Sequence, residues 1–318
     1  MARVYVCRRL PSEVVEPLAG LHEVRTWAGK YPVPRDVFLE EAASAEGLLT
    51  MITETIDLEL LDAAPRLRIV SQMAVGVDNI DVGACHERGI EIGHTPGVLT
   101  ETVADTAFAL LASVVRRLPE GERAVKDGSW GPWDPFWMTG SDLFGTTIGI
   151  VGMGRIGRAI ARRASGFGME ILYSASSEKE DAPGRFLPLD EVLARSDHVM
   201  ICVSLSDETV GLIGAREFGL MRKDAFLVNI SRGPVVDTNA LVDALGAGSI
   251  AGAGLDVTDP EPLPPNHPLL GFSNCLVIPH IGSASTRTRM AMGALAVENL
   301  LAGLDDRPMP APVAWPGG

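Results

Sequence analysis

Three side chains hold most of the reactive potential of this 318-residue chain: Arg232, Glu261 and His280. Each follows an apolar run that reads as a β-strand. Arg232 comes just after residues 225–230. Glu261 sits in Asp259-Pro260-Glu261-Pro262, beyond 252–257, and His280 follows 276–278 and Pro279. In parallel α/β sheets ligands bind outside the carboxyl ends of the strands, so three such ends on one sheet can bring these residues to one cleft. An arginine offers a planar cation that forks onto a carboxylate and polarises an adjacent carbonyl. A histidine can give a proton to the carbonyl oxygen as hydride arrives at carbon, or take it back in reverse. A glutamate touching the imidazole favours its charged form. Taken singly, each has an ordinary explanation as a surface ion pair, a solvated loop acid or a polar residue ahead of a helix. As a set they suit hydride chemistry on a 2-oxo acid.

The element that must position them is a βαβ unit. Residues 148–151 read as a buried parallel strand that runs into Gly152-Met153-Gly154-Arg155-Ile156-Gly157. A helix with Ile156, Ala159, Ile160 and Ala164 on one face follows, then a second strand at 171–173. In this G-x-G-x-x-G context Gly152 permits the tight turn, Gly154 lets backbone approach a pyrophosphate, and Gly157 lets helix and strand pack closely. The helix N-terminus adds unpaired N–H groups and the positive dipole end for phosphates. The strand–turn–helix–strand setting is what separates this match from a chance glycine turn.

Alternation of strands and short helices continues on both sides. Ahead of it, strands are expected at 3–7, from Val24, at 47–50, 67–71 and 90–92, and helices at 14–18, 36–45, 56–63 and 81–88. This first unit has no glycine fingerprint. Pro96-Gly97 reads as a linker before a long helix over 102–118 with Thr100 as its cap. Trp130, Trp133, Phe136 and Trp137 then crowd a loop-like stretch, either folded onto its own core or forming a subunit contact. Beyond the fingerprint come helices at 189–194 and 239–245 and strands at 198–203, 225–230, 252–257 and 276–278. The last helix, 286–302, has nowhere to pack in the second sheet and is expected to return to the first domain. The reading is α/β, with two doubly wound parallel-sheet domains: a flavodoxin-like substrate domain, 1–98 plus 286–318, and a Rossmann dinucleotide-binding domain, 99–285. A Pro-rich tail spans 308–316.

Composition narrows the function classes. A net charge of −14 argues against non-specific nucleic-acid binding, which needs a basic footprint. No apolar run is long enough to span a bilayer, and the N-terminus lacks a signal-peptide core. Cys7, Cys85, Cys202 and Cys275 are scattered without a C-x-x-C, as expected of free thiols in a reducing, cytoplasmic setting. His22, His86, His94, His198 and His267 show no metal-ligand spacing, so no metal is expected. Ser231 lacks a nucleophile elbow.

The motifs GMGRIG (152–157), NISRGPVVD (229–237), GLDVTDPEP (254–262) and PHIGS (279–283) resemble those of the D-isomer-specific 2-hydroxyacid dehydrogenase family, over essentially the whole chain. Within it, SQMAVGVDNID (71–81), GVLTETVADTAFALL (97–111) and 133–157 look most like glyoxylate/hydroxypyruvate reductases. The resemblance implies Arg232 as the substrate-binding and polarising residue, His280 as general acid/base and Glu261 as its partner. It implies that the N–H groups of Val75 and Gly76 hold the substrate carboxylate, that Met51 lines the pocket, and that Trp137 reaches a neighbouring subunit's site in a homodimer. It also implies cofactor contacts from Gly152, Gly154, Arg155, Ile156, Gly157, Ser204, Ile230, Ser231, Asp256 and Gly282.

Cofactor choice is argued from the second strand of the fingerprint. NAD selection needs an acid about twenty residues after the first glycine. That region here is Tyr173-Ser174-Ala175-Ser176-Ser177, with no acid before Glu178. Ser174, Ser176 and Ser177 can donate hydrogen bonds, and Arg155 or Lys179 can add charge, which favours NADPH. NADPH-preferring relatives usually carry an arginine in this loop, and its absence leaves NADH use possible. The expected activity is therefore NADPH-preferring reduction of glyoxylate and hydroxypyruvate. The alternatives are another D-2-hydroxyacid dehydrogenase, of D-lactate or 2-ketogluconate type, or a dinucleotide-sensing corepressor on the same scaffold.

Overall fold

The computed structural model describes residues 1–315; the last residues of the Pro-rich tail, from Pro316, lie outside them. The chain divides into two compact units, one built from Met1–Leu99 and the chain from Ser285, the other from Thr100–Ala284.

The first unit runs β1 (Arg3–Val6), α1 (Ser12–Ala19), β2 (Glu23–Thr26), α2 (Arg35–Ala42), β3 (Gly47–Thr50), α3 (Leu58–Ala63), β4 (Ile69–Gln72), α4 (Val82–Glu87) and β5 (Glu91–Gly93). Its five strands pair in parallel in the order β2-β1-β3-β4-β5. The inner strands β3 and β4 are buried at every position, and the polar residues that close them, Thr50, Ser71 and Gln72, are hydrogen-bonded. Asp57 and Asp81 start α3 and α4 by accepting the N–H of Leu60 and of Ala84. These caps place the starts at Leu58 and Val82, a residue or two later than the apolar pattern suggests. The closing helix, Thr286–Leu304, packs on α1, β3 and β4. Ser71 Oγ donates to its Ala296 carbonyl at 2.6 Å.

The second unit runs α5 (Thr100–Val115), α6 (Leu118–Lys126), β6 (Thr147–Val151), α7 (Arg155–Gly166), β7 (Glu170–Ser174), β8 (Arg185–Phe186), α8 (Leu189–Arg195), β9 (His198–Ile201), α9 (Ala215–Leu220), β10 (Phe226–Asn229), α10 (Thr238–Gly246), β11 (Gly252–Leu255) and β12 (Cys275–Val277). Its seven-stranded sheet, also parallel, has the order β12-β11-β10-β9-β6-β7-β8. The chain reverses direction across the sheet between β6 and β9, which makes the carboxyl end of β6 a topological switch point. Arg163 ties α7 to α5 through Glu101 and Asp105, at 2.8 Å to each carboxylate.

Two features differ from the sequence expectation, and for a third, one of two alternatives is excluded. The helix expected over 102–118 ends at Val115, because Arg117 adopts a left-handed conformation (φ 53°), and a further helix, α6, begins at Leu118 with Pro119 in its first turn. α9 and the short edge strand β8 carry too few residues for a legible period. The aromatic stretch after α6 is not folded onto its own core: Trp133 is 85% and Phe136 83% exposed.

Candidate active site

In the second unit, the turn after β6 is built on glycine for steric reasons visible in the structure. Gly152 has φ 101°, and a Cβ there would meet the Cys202 backbone at 2.8 Å. A Cβ on Gly157 would lie 2.1 Å from the Gly152 carbonyl, so helix and strand close together only through glycine. Gly154 is different: the space beside it is open, and no side-chain bond caps the first turn of α7. That turn, with Arg155 and Ile156 in it, therefore presents backbone N–H groups and the positive helix end to an open face, the arrangement that takes a pyrophosphate.

The loop after β7 wraps around a buried phenol. Tyr173 is buried, and its hydroxyl accepts the Lys179 N–H at 3.0 Å. Lys179 Nζ donates to Ser177 Oγ at 3.0 Å, and Arg158 donates to the Glu180 carbonyl at 2.8 Å. Ser174 ends the strand, with Ser176 beside Ser177 in the loop. A hydroxyl and an ammonium are thus paired where the fingerprint places the ribose.

Arg232 is set by the end of β10. The buried Asn229 accepts the N–H and the hydroxyl of Ser231 through Oδ1 and donates through Nδ2 to the Arg232 carbonyl at 2.9 Å. Asn229 was not singled out from sequence; the signal was a polar residue closing an otherwise apolar strand. Gly233 then lets this turn lie against 258–259, since a Cβ would meet the Thr258 carbonyl at 2.0 Å. Thr238 Oγ1 donates to the Asp259 carbonyl and Thr258 Oγ1 to that of Pro260.

His280 stands in the left-handed region (φ 52°), a conformation uncommon outside glycine. Asp256, buried at the end of β11, holds it there from both sides. The Asp256 carbonyl accepts the His280 N–H at 2.8 Å, and its carboxylate accepts the N–H of Ile281 (2.6 Å) and of Gly282 (2.9 Å). Burial pushes the Asp256 carboxyl above its ordinary range, while these N–H groups and the His280 charge act in the opposite direction. His280 Nδ1 lies 2.6 Å from Glu261 Oε1. A carboxylate can only accept, so Nδ1 donates and Nε2 is the nitrogen left for chemistry. Burial alone would raise Glu261, but the His280 hydrogen bond and charge, the Thr258 N–H and the Arg232 charge outweigh it and hold the carboxyl below its usual range. The structure therefore brings Arg232, Glu261 and His280 together, with Asp256 and Gly282 supporting them. Ile230 and Ser231 lead into Arg232, and Ser204 is exposed just beyond β9.

In the first unit, Met51 follows β3, and Val75 and Gly76 follow β4. A buried polar network fixes both loops. Glu54, only 2% exposed, accepts the Met51 N–H at 2.9 Å and an Arg8 Nη2 bond at 3.1 Å. Asn79 Nδ2 donates to the carbonyls of Met51 (3.2 Å) and Glu54 (2.6 Å), and Gln72 bonds to the Asn79 side chain. Trp137 is 45% exposed in the aromatic loop of the second unit. Among the described residues no helix is long and apolar enough to cross a membrane, and no group of His, Cys or carboxylates could hold a metal.

A model of the D-isomer specific 2-hydroxyacid dehydrogenase NAD-binding domain matches residues 108–282. The chain is 47% identical over 305 residues to a glyoxylate reductase of Korarchaeum cryptofilum, covering 94% of this chain and 92% of the relative. It is 44% identical over 319 residues to the human glyoxylate reductase/hydroxypyruvate reductase, covering 98% and 97%. Among solved structures, the NADPH-dependent glyoxylate/hydroxypyruvate reductase of Sinorhizobium meliloti, in complex with NADP and malonate, matches with TM-score 0.87 and 36% identity over 98% of this chain and 97% of that one. With the glycine turn on β6 and Arg232, Glu261 and His280 gathered at the strand ends of the same unit, these likenesses establish that the chain belongs to the D-isomer-specific 2-hydroxyacid dehydrogenase family, as an oxidoreductase with a nicotinamide-dinucleotide-binding domain.

Proposed function

We propose that this enzyme reduces small 2-oxo acids, glyoxylate and hydroxypyruvate, to 2-hydroxy acids, with NADPH preferred and NADH usable. The observation that carries the reading is the His280–Glu261 pair beside Arg232 in the unit that bears the dinucleotide turn.

The bound nicotinamide supplies hydride to the oxo carbon. Arg232 engages the substrate carboxylate and draws electron density from the adjacent carbonyl. His280 delivers its Nε2 proton to the carbonyl oxygen as negative charge develops there, and Glu261 holds the ring through Nδ1. In oxidation the same nitrogen takes the hydroxyl proton back. Asp256 keeps His280 in its left-handed backbone, which lies at a cost of about 1–3 kcal/mol for such conformations. In the first unit, the Val75 and Gly76 N–H groups take the carboxylate, with Met51 beside them.

The pyrophosphate is assigned to the Gly152–Gly157 turn with Arg155, and Ser204, Ile230, Ser231, Asp256 and Gly282 are assigned to the rest of the dinucleotide. Support for NADPH comes from the loop after β7. It places no carboxylate at Ser174 to repel a 2′-phosphate, and it sets Lys179 against Ser177 with Ser176 adjacent. Support for a homodimer comes from Trp130, Trp133, Phe136 and Trp137, four large aromatic side chains in one short stretch that are all exposed. A second copy is the proposed cover, with Trp137 reaching its site.

Loss of nicotinamide absorbance with purified protein tests the reading. Faster turnover of glyoxylate and hydroxypyruvate than of pyruvate, and a higher kcat/KM with NADPH than with NADH, is expected. Turnover only of larger oxo acids would keep the family and reject the substrate. Cofactor binding without any turnover would favour a dinucleotide-sensing corepressor.

A further inference from the structure

The loop assigned to the substrate carboxylate has both of its carbonyls held by side chains. Gln72 Nε2 donates to the Gly76 carbonyl at 3.1 Å, and Thr50 Oγ1 in turn donates to Gln72 Oε1 at 2.9 Å. On the other side, His94 Nδ1 lies 3.0 Å from the Val75 carbonyl. A carbonyl can only accept, so His94 Nδ1 bears the hydrogen in this contact. The ring is itself anchored through its backbone. The His94 N–H donates to the Ala311 carbonyl at 3.0 Å. Its carbonyl accepts Nδ2 of the fully buried Asn299 at 2.9 Å, and Asn299 Oδ1 accepts the Ala311 N–H. Thr95 N–H donates to the Ala74 carbonyl at 2.8 Å, which fixes the same loop one residue earlier.

A peptide unit is planar and trans, so the carbonyl of Val75 and the N–H of Gly76 lie on opposite edges of one rigid plate. Fixing one edge fixes the direction of the other. We infer that His94 is a positioning residue for substrate binding: by donating Nδ1–H to the Val75 carbonyl it aims the Gly76 N–H at the substrate carboxylate. The inference rests on the proposal that this N–H binds the carboxylate. His94 is assigned no contact with reacting atoms or cofactor, so its effect falls on substrate affinity and leaves the chemical step alone. Binding energy made equally in ground and transition states changes KM with little change in kcat.

The test compares His94→Leu with His94→Asn, two side chains of similar size of which only asparagine keeps a donor near the place of Nδ1. One hydrogen bond to a neutral acceptor corresponds to about a three- to tenfold change in an equilibrium constant. His94→Leu should raise KM for glyoxylate by about that factor, with kcat and the Kd for NADPH within about twofold of wild type, and His94→Asn should recover most of the loss. A merely structural role would lower Tm and kcat together and would give no recovery by asparagine; that result overturns the inference. Should the leucine variant fail to fold, His94→Ala carries the same comparison. Gly76→Pro, which has no N–H, separates the two levels. If it raises KM while His94→Leu does not, the loop binds the carboxylate and the role of His94 is wrong. If neither raises KM, the assignment of the loop and the inference fall together.

Discussion

The two units carry different kinds of polar group beyond their strands. In the second unit the proposed chemistry rests on side chains that follow strands: the Arg232 guanidinium, the Glu261 carboxylate and the His280 imidazole. In the first unit it is assigned to two backbone N–H groups, and the polar side chains there serve to hold backbone in place. Gln72, Asn79, Glu54 and His94 each make a hydrogen bond to a loop peptide group. Deleting a side chain in the second unit therefore removes a reactive group. Deleting one at Val75 removes only apolar surface.

That contrast can be broken at its strongest point by His280→Ala. We expect kcat to fall about 10²- to 10⁴-fold, the usual contribution of a positioned general acid, with the Kd for NADPH unchanged by fluorescence titration. Full kcat would remove His280 from the mechanism. Arg232→Ala comes next, with kcat/KM for glyoxylate down about 100-fold, equivalent to about 2.7 kcal/mol, and a small effect on cofactor affinity. Unchanged steady-state kinetics would sink its carboxylate role.

A smaller effect separates two histidines of the second unit, His280 and His198. His280 pairs with a carboxylate after β12, whereas His198 is buried at the start of β9, where burial pushes its imidazole below the ordinary 6.5 against the opposing pull of Asp197. The folded state resists protonating His198 while the unfolded state accepts the proton below about pH 6.5. Stability from this group is thus present above that pH and is lost as pH falls below it, by at most about 1.4 kcal/mol per pH unit. Tm between pH 7.5 and 5.5 should fall more in wild type than in His198→Leu; equal falls would contradict the assignment. Smallest of all is Val75→Ala, expected to leave kcat and KM for glyoxylate within about twofold, since the N–H remains. A large rise in KM would mean that the Val75 side chain itself contacts substrate, and the contrast between the units would fail.

The same contrast explains what could be read from the sequence. Parallel strands buried on both faces announce themselves as apolar runs, and the glycines at 152 and 157 are there for clashes that any Cβ would create. Arg232, Glu261 and His280 were picked out as a set, because a polar side chain beyond each of three apolar runs is visible in the sequence even where each alone has an ordinary explanation. Asn229, Asn79, Gln72 and His94 were not, because their importance lies in which carbonyl or N–H they reach. Those pairings, such as Asn79 to Glu54 and His94 to Val75, depend on loops that the fold alone brings together. The separate helix α6 was missed for a different reason: LPEGERAVK buries only Ala124, so it has little apolar pattern to read, and the left-handed Arg117 that sets it off from α5 leaves no mark in the sequence. Asp256 was placed by family likeness near the nicotinamide, while the structure adds that its carboxylate caps the backbone just after His280.

The most direct test of the account is to reduce hydroxypyruvate with purified protein and NADPH and resolve the configuration of the product. The account predicts stoichiometric NADPH oxidation and D-glycerate as the sole product. L-glycerate, a racemate, or no product with active cofactor binding would contradict it.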